Sequence, residues 1–341
     1  MKALFLTEVG KSEVREIEKP SPKAGEVLLE VGMVGFCGGD MNGFKGLFPL
    51  QEYPNVLGHE VGATVVELGT DVPPDVELGT KVTIYPYLAC GTCVACRKGR
   101  PNACKTNKTM GVRRPGAMTK FITVPWQDIF PSEKLSLREL ALAEPLTVGF
   151  HAVSRGRVTA EDCVAVIGCG IVGLGAVASA VNRNATVIAI DLDDSKLEIA
   201  RKIGVVHTIN PSKVDLHETL QALTSGDGPD VIIEAVGSPM TYRSAVEEVA
   251  FLGRVVCIGY AKAAVEFNTS LFVQKEIEIL GSRNCVGKVD FPEVISYLEA
   301  GKFPVEDVIS KIISIDEGPE TLKSWSENPQ GIIKIMIDFD R

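Results

Sequence analysis

Residues 163–191, CVAVIGCGIVGLGAVASAVNRNATVIAID, set a glycine-rich turn between two apolar runs. The first run, 163–167, reads as a short strand. Gly168-x-Gly170-x-x-Gly173 follows, and then a stretch of helix formers. A second strand, ATVIAI, ends on Asp191, the acid expected roughly 20 residues after the glycines of a dinucleotide fingerprint. Each glycine has a separate task. Gly168 permits the tight turn, Gly170 lets a pyrophosphate approach the backbone, and Gly173 allows close helix–strand packing. The helix N-terminus, opened by Ile171 and Val172, then turns its partial positive charge toward the phosphates. Asp191 is suited to accept hydrogen bonds from ribose hydroxyls and to repel a 2′-phosphate. Leu192, Asp193 and Asp194 follow with no arginine among them, so NAD is expected over NADP.

Around this unit the pattern continues. DVIIEAV (230–236, ending on Val236, a further expected cofactor contact), RVVCIGY (254–260) and IEILGS (277–282) are apolar runs separated by helical stretches such as MTYRSAVEEVAFL. Strands alternating with helices predict a doubly wound parallel sheet. The first part of the chain differs. EVLLEVGMVGFC, VGATVVEL, TKVTIYPY and AMTKFITVP are short strands broken by Gly and Pro, which predicts a β-rich lobe. After residue 285 come a helix, DFPEVISYLEAG, and a last strand, GIIKIMIDF. At 341 residues the chain is long for one core. The expected division is an α/β chain with a catalytic lobe at 1–147 and 286–341 and a nucleotide domain at 148–285.

CGTCVACRKGRPNAC (90–104) contributes four of the nine cysteines. Cys90, Cys93, Cys96 and Cys104 follow a C-x2-C-x2-C-x7-C spacing that lets four thiolates close a tetrahedral zinc shell. An iron–sulfur cluster is the rival, but the Cys-Pro ending of ferredoxin-type runs is missing. A closed four-sulfur shell has no position for substrate, so this metal is expected to be structural. A second, mixed set lies elsewhere. VGFCGGDMNGF carries Cys37 and Asp40, VLGHEVGATVVEL carries His59 and Glu60, and ALAEPLTVGFHAV carries Glu144. A thiolate, an imidazole and one or two carboxylates suit an open, catalytic zinc.

Charge and hydropathy narrow the partners. A formal net charge of −9, without a long like-charge block, argues against a nucleic-acid partner. No apolar run of about 18 residues is present, so no membrane span is expected. The N-terminal apolar stretch is too short for a signal peptide, and a cytoplasmic location is expected. Reduced thiols agree with that. Cys163, Cys169, Cys257 and Cys285 read as small buried hydrophobes.

GHE, the four-cysteine lobe, EPL and the dinucleotide fingerprint together resemble the zinc-dependent medium-chain alcohol and polyol dehydrogenases, from end to end. Glu144 after LA and GSRN at 281–284 resemble the sorbitol, threonine and sugar-acid branch, and the pair IYPYLACGTCVACRKGRPNAC and QKE…LGSRN is most similar to the hexonate 5-dehydrogenases acting on L-galactonate or L-gulonate. The resemblance implies a GroES-like lobe and a Rossmann domain, one catalytic and one structural Zn2+, NAD, a polyol or sugar-acid substrate and a homodimer or homotetramer. It implies that Cys37, His59 and Glu60 or Glu144 hold the catalytic zinc. It also implies that Arg283 faces substrate, with Asn284 assisting. A threonine-type amino-alcohol dehydrogenase and a non-catalytic binding protein are the alternatives. One departure stands out. Where the family has Ser or Thr two residues after the zinc cysteine, and a His a few residues later, this chain has Gly39 and Asn42. The usual proton relay lacks its first hydroxyl, so either Glu144 with a zinc-bound water accepts the proton, or the enzyme no longer works on ordinary alcohols.

Overall fold

The strand Glu26–Gly35 is the spine of the first unit, and all but two of its residues are buried. It pairs with Glu60–Leu68, with Phe121–Pro125 and with Lys334–Asp338, all antiparallel. Both faces of this strand are covered, which is why EVLLEVGMVG is apolar almost throughout rather than alternating. The sheet continues outward through Lys81–Ile84 to Ile129–Pro131 on one side and to Ile309–Ile313 on the other. Leu29, Val31, Val61, Val65, Ile84, Met118 and Ile337 form part of its core. A smaller sheet joins Lys11–Glu16, Lys2–Glu8 and Asn55–Val56.

In this computed structural model, which describes Met1–Arg341, the chain divides into two compact units. The first comprises Met1–Glu144, Val286–Gly301 and Ile309–Arg341; the second comprises Pro145–Cys285 and Lys302–Val308. The sequence reading assigned all of 286–341 to the first. Lys302–Val308 instead joins the second unit, where Lys202 and Asp307 form an ion pair at 2.5 Å and Lys302 donates to Asn182.

The second unit is built on a six-stranded parallel sheet. Its order is His207–Ile209, Thr186–Ile190, Cys163–Ile167, Val231–Glu234, Arg254–Cys257, Glu278–Gly281. The order reverses between Cys163–Ile167 and Val231–Glu234, and their carboxyl ends flank the switch-point crevice where open α/β sheets bind ligands. Ala165, Ile167, Ile188, Ile190 and Ile232 pack in the core of this unit. Cys169 and Cys285 are buried as expected, whereas Cys163 and Cys257, at the ends of their strands, are only partly so. No helix is long and apolar enough to cross a membrane.

Candidate active site

Cys37 caps the helix Gly38–Phe44. Its sulfur accepts from the Gly39 amide at 3.3 Å, while Asp40 Oδ2 accepts from the Cys37 amide at 2.8 Å. This reciprocal cap fixes the thiol at the end of the strand–turn–helix passage. His59 and Glu60 come from the start of Glu60–Leu68 and the turn before it, and the register sets Glu60 opposite Gly35. One donor atom each from Cys37, His59 and Glu60 lies within 4.8 Å of the other two. His59 and Glu60 are 6% and 1% exposed, while Cys37 is partly exposed.

The chemistry of these donors fits a zinc ion. A soft sulfur, an imidazole and a carboxylate form the three-ligand, open type of site. Without a central cation the groups are poorly matched. His59 Nδ1 and Asp40 Oδ1 are buried and lack hydrogen-bond partners. Burial pushes the Asp40 carboxyl up to about 6, although nearby His59 opposes it. Burial also works against a charge on His59, but Cys37, Glu144 and Asp40 outweigh it and hold the imidazole well above its ordinary value.

Glu144, 2% exposed on the helix Leu137–Arg155, is not part of that trio. Its Oε1 accepts from the buried Tyr87 hydroxyl. Burial raises its pKa, with His59 pulling the other way. Tyr87 had no signal beyond its place in IYPYLACG. Lys334 was also missed, and it lies closer still: its ammonium is 2.5 Å from Glu60 Oε2. Here a signal did exist, since a lysine interrupts the apolar run of GIIKIMIDF. At Gly39, an added Cβ would lie 3.6 Å from Cys37 Sγ and 3.8 Å from Phe48. Those are ordinary contacts, so no steric conflict excludes a serine there.

The four-cysteine loop also fits its metal. The sulfurs of Cys90, Cys93, Cys96 and Cys104 all lie within 4.8 Å of one another. Cys93 and Cys96 are 3.5 Å apart, and Cys90 and Cys96 4.0 Å. A tetrahedron with Zn–S bonds of about 2.3 Å needs sulfurs roughly 3.8 Å apart. The Thr92 hydroxyl, with the Thr92 and Cys93 amides, holds the Cys90 thiol down to about 5.

In the second unit, Gly168 has φ +96°, and a Cβ there would lie 2.6 Å from Val236 Cγ2. A Cβ on Gly173 would overlap the Gly168 carbonyl oxygen, while one on Gly170 would meet nothing. Only the middle glycine therefore faces open space, as a phosphate cradle at the start of the helix Ile171–Asn182 requires. Val236 is half-exposed on the other side of the turn. It is held there by Glu234, whose Oε1 accepts from the Val236 and Gly237 amides and from the Thr241 hydroxyl. Asp191 Oδ2 accepts from the Cys169 amide at 2.7 Å and Oδ1 from the Asp193 amide at 2.9 Å. The acid thus shapes the glycine loop as well as standing beside it. Arg283 and Asn284 follow the strand Glu278–Gly281, both partly buried. Asn284 adopts the left-handed conformation (φ +50°) that asparagine tolerates.

Residues 172–300 match the zinc-binding dehydrogenase family, and residues 23–134 match the alcohol dehydrogenase GroES-like domain. A zinc-type alcohol dehydrogenase-like protein of Haemophilus influenzae, itself uncharacterised, is 33% identical over 99% of both chains. The L-galactonate-5-dehydrogenase of Escherichia coli K12 is 31% identical over 95% of both. A crystal structure of the alcohol dehydrogenase RspB from E. coli CFT073 with NADH superposes with a TM-score of 0.91 at 29% identity, covering 99% of each chain. The chain belongs to the zinc-type alcohol dehydrogenases, enzymes that act on CH–OH groups through a GroES-like domain and a Rossmann domain.

Proposed function

We propose that this chain oxidises a secondary hydroxyl of a polyol or sugar acid to the ketone, with a hexonate of the L-galactonate or L-gulonate type as substrate. The observation that carries the reading is the convergence of Cys37 with the buried His59 and Glu60 on one point. Zinc and NAD(P) are its cofactors: zinc supplies a Lewis acid for the C–O group, and the nicotinamide accepts the hydride. Cys37, His59 and Glu60 hold the zinc. Exclusion of water around His59 and Glu60 strengthens the field of every charge there. Glu144, steadied by Tyr87, takes the alcohol proton that no hydroxyl at position 39 can pass on. Gly168, Gly170, Ile171, Val172, Gly173, Asp191 and Val236 bind the dinucleotide. Arg283 and Asn284 bind the substrate's hydroxyls or carboxylate, for which a guanidinium is well matched.

The substrate class is tested by a panel of sorbitol, galactitol, L-galactonate, L-gulonate and L-threonine with NAD, followed at the absorbance of reduced nicotinamide. Highest kcat/KM on an aldonate supports the proposal. Highest kcat/KM on threonine overturns it in favour of an amino-alcohol dehydrogenase.

Cofactor choice gives a second expected result. NAD is preferred to NADP, because a 2′-phosphate would face Asp191 with Asp193 and Asp194 nearby. The double change Asp191→Ser, Leu192→Arg reverses the preference, since Leu192 is 64% exposed and leaves room for an arginine. It also weakens NAD binding itself, because two loop amides lose their acceptor. Equal use of NADP by the unaltered enzyme sinks this reading of the loop.

A further inference from the structure

Glu234 ends the strand Val231–Glu234 and is 0% exposed. Its two oxygens are used unequally. Oε1 accepts from the Val236 and Gly237 amides and the Thr241 hydroxyl, whereas Oε2 is buried with no hydrogen-bond partner. All three donors are neutral, so dipoles meet the charge on one oxygen and nothing meets it on the other. The open oxygen faces the turn after the next strand. A Cβ on Gly259 would lie 2.7 Å from Glu234 Oε2 and would strike the Gly237 amide. The Gly259 amide donates to the Glu234 carbonyl at 3.2 Å, and Tyr242 ties down the same turn by donating to the Gly259 carbonyl.

Holding the two turns together uses only Oε1 and the main chain, and a neutral amide would serve as well. A buried carboxylate with one oxygen unpaired is costly, so its charge calls for a second reason. Its place in the sheet supplies one. A dinucleotide seated across the switch point, with its adenosine at Asp191, sends its other half toward the carboxyl ends of Val231–Glu234 and Arg254–Cys257. That half ends in the nicotinamide ring, a cation in NAD+ and neutral in NADH. We propose that Glu234 discriminates between the two redox states of the cofactor, its buried charge favouring the oxidised ring over the reduced one. During alcohol oxidation the ring takes the hydride, two electrons and one hydrogen nucleus, and loses its positive charge, while the hydroxyl proton leaves separately. The carboxylate therefore helps to hold NAD+ before the reaction and weakens the hold on NADH after it. This inference rests on the cofactor reading above.

The two nucleotides share the pyrophosphate and both riboses, so the ratio of their dissociation constants isolates the ring. Titration calorimetry of the zinc-loaded enzyme measures Kd for NAD+, NADH and ADP-ribose, the last having no ring. Glu234→Gln keeps the shape and still offers an oxygen to the three donors. It should raise Kd(NAD+)/Kd(NADH) by roughly three- to tenfold, the size of a charge–charge attraction through partly screened protein. ADP-ribose should change in step with NADH. Glu234→Asp keeps the charge and shortens the reach, so it should weaken all three ligands and leave the ratio at the wild-type value. Thr241→Val removes one donor and leaves the carboxylate less compensated, so the ratio should fall by about twofold; this variant decides if Glu234→Gln does not fold. An unchanged ratio in Glu234→Gln overturns the proposal and leaves the acid a tie between turns. A ratio raised equally in Glu234→Asp, or one unchanged or raised in Thr241→Val, overturns it too. Failure of the wild-type enzyme to bind either nucleotide would instead remove the cofactor reading itself.

Discussion

Glu144→Gln lowers turnover by about 10²–10⁴-fold, the range for loss of a general acid or base, and leaves two zinc ions per chain. The amide keeps the size of the side chain and still accepts from Tyr87, whose hydroxyl bonds Glu144 Oε1. What it loses is the capacity to take a proton. Zinc content is measured on the same sample, because the sequence leaves Glu60 and Glu144 both open as the third ligand. The structure separates them: Glu60 stands with Cys37 and His59, and Glu144 stands outside that trio. Loss of one zinc in Glu144→Gln would make Glu144 a ligand. Full turnover with both zinc ions would send the proton through another group. Gly39→Ser is the companion variant. Its Cβ meets only ordinary contacts, so the protein should fold and bind zinc normally. If the serine hydroxyl raises turnover in the Glu144→Gln background, the missing relay and the carboxylate serve the same step.

How much of this could be read in advance varies from residue to residue, for physical reasons. The glycine loop was legible because each glycine answers a local steric demand, and the structure shows those demands at Gly168 and Gly173. The four cysteines were legible because short spacing alone brings thiols to one point. The parallel sheet followed from apolar runs that need both faces covered. His207–Ile209 was not predicted: it is three residues long, lies at the sheet edge and carries no apolar run. The helix expected over 240–252 ends at Glu248, since Val249 turns to extended backbone and Leu252 takes a φ of +60°. Nothing local in VEEVAFL marks that exit. Lys334 shows the deeper limit. Its partner Glu60 is 274 residues away, and only strand register joins them. A lysine in an apolar strand signals a buried charge, but the sequence does not say which acid answers it.

The second large effect belongs to the four-cysteine loop. Cys93→Ser should remove one zinc per chain, lower the melting temperature by several degrees and open residues 90–104 to protease, while the active fraction keeps a near-normal KM. The loop has little else to hold it. The helix Val94–Arg97 buries no residue, Val94 is 59% exposed, and Cys104 is the one buried thiol of the four. Its order must come from the sulfur–metal bonds, which in small zinc peptides supply about 10–16 kcal/mol of apparent folding free energy. Most of that is unavailable as global stability here, because the remainder of the first unit has its own core around Leu29, Val61 and Ile84. A local loss is therefore expected, with a melting shift of roughly 2–4 °C for each kcal/mol that does couple to global unfolding in a domain of this size. Acidification should mimic the variant, since each thiolate must stay deprotonated to bind. Limited proteolysis with metal analysis distinguishes the outcomes. If Cys93→Ser keeps its melting temperature and resists protease but loses all turnover on a substrate it still binds, the cage holds no structural metal and the division of labour between the two sites is wrong.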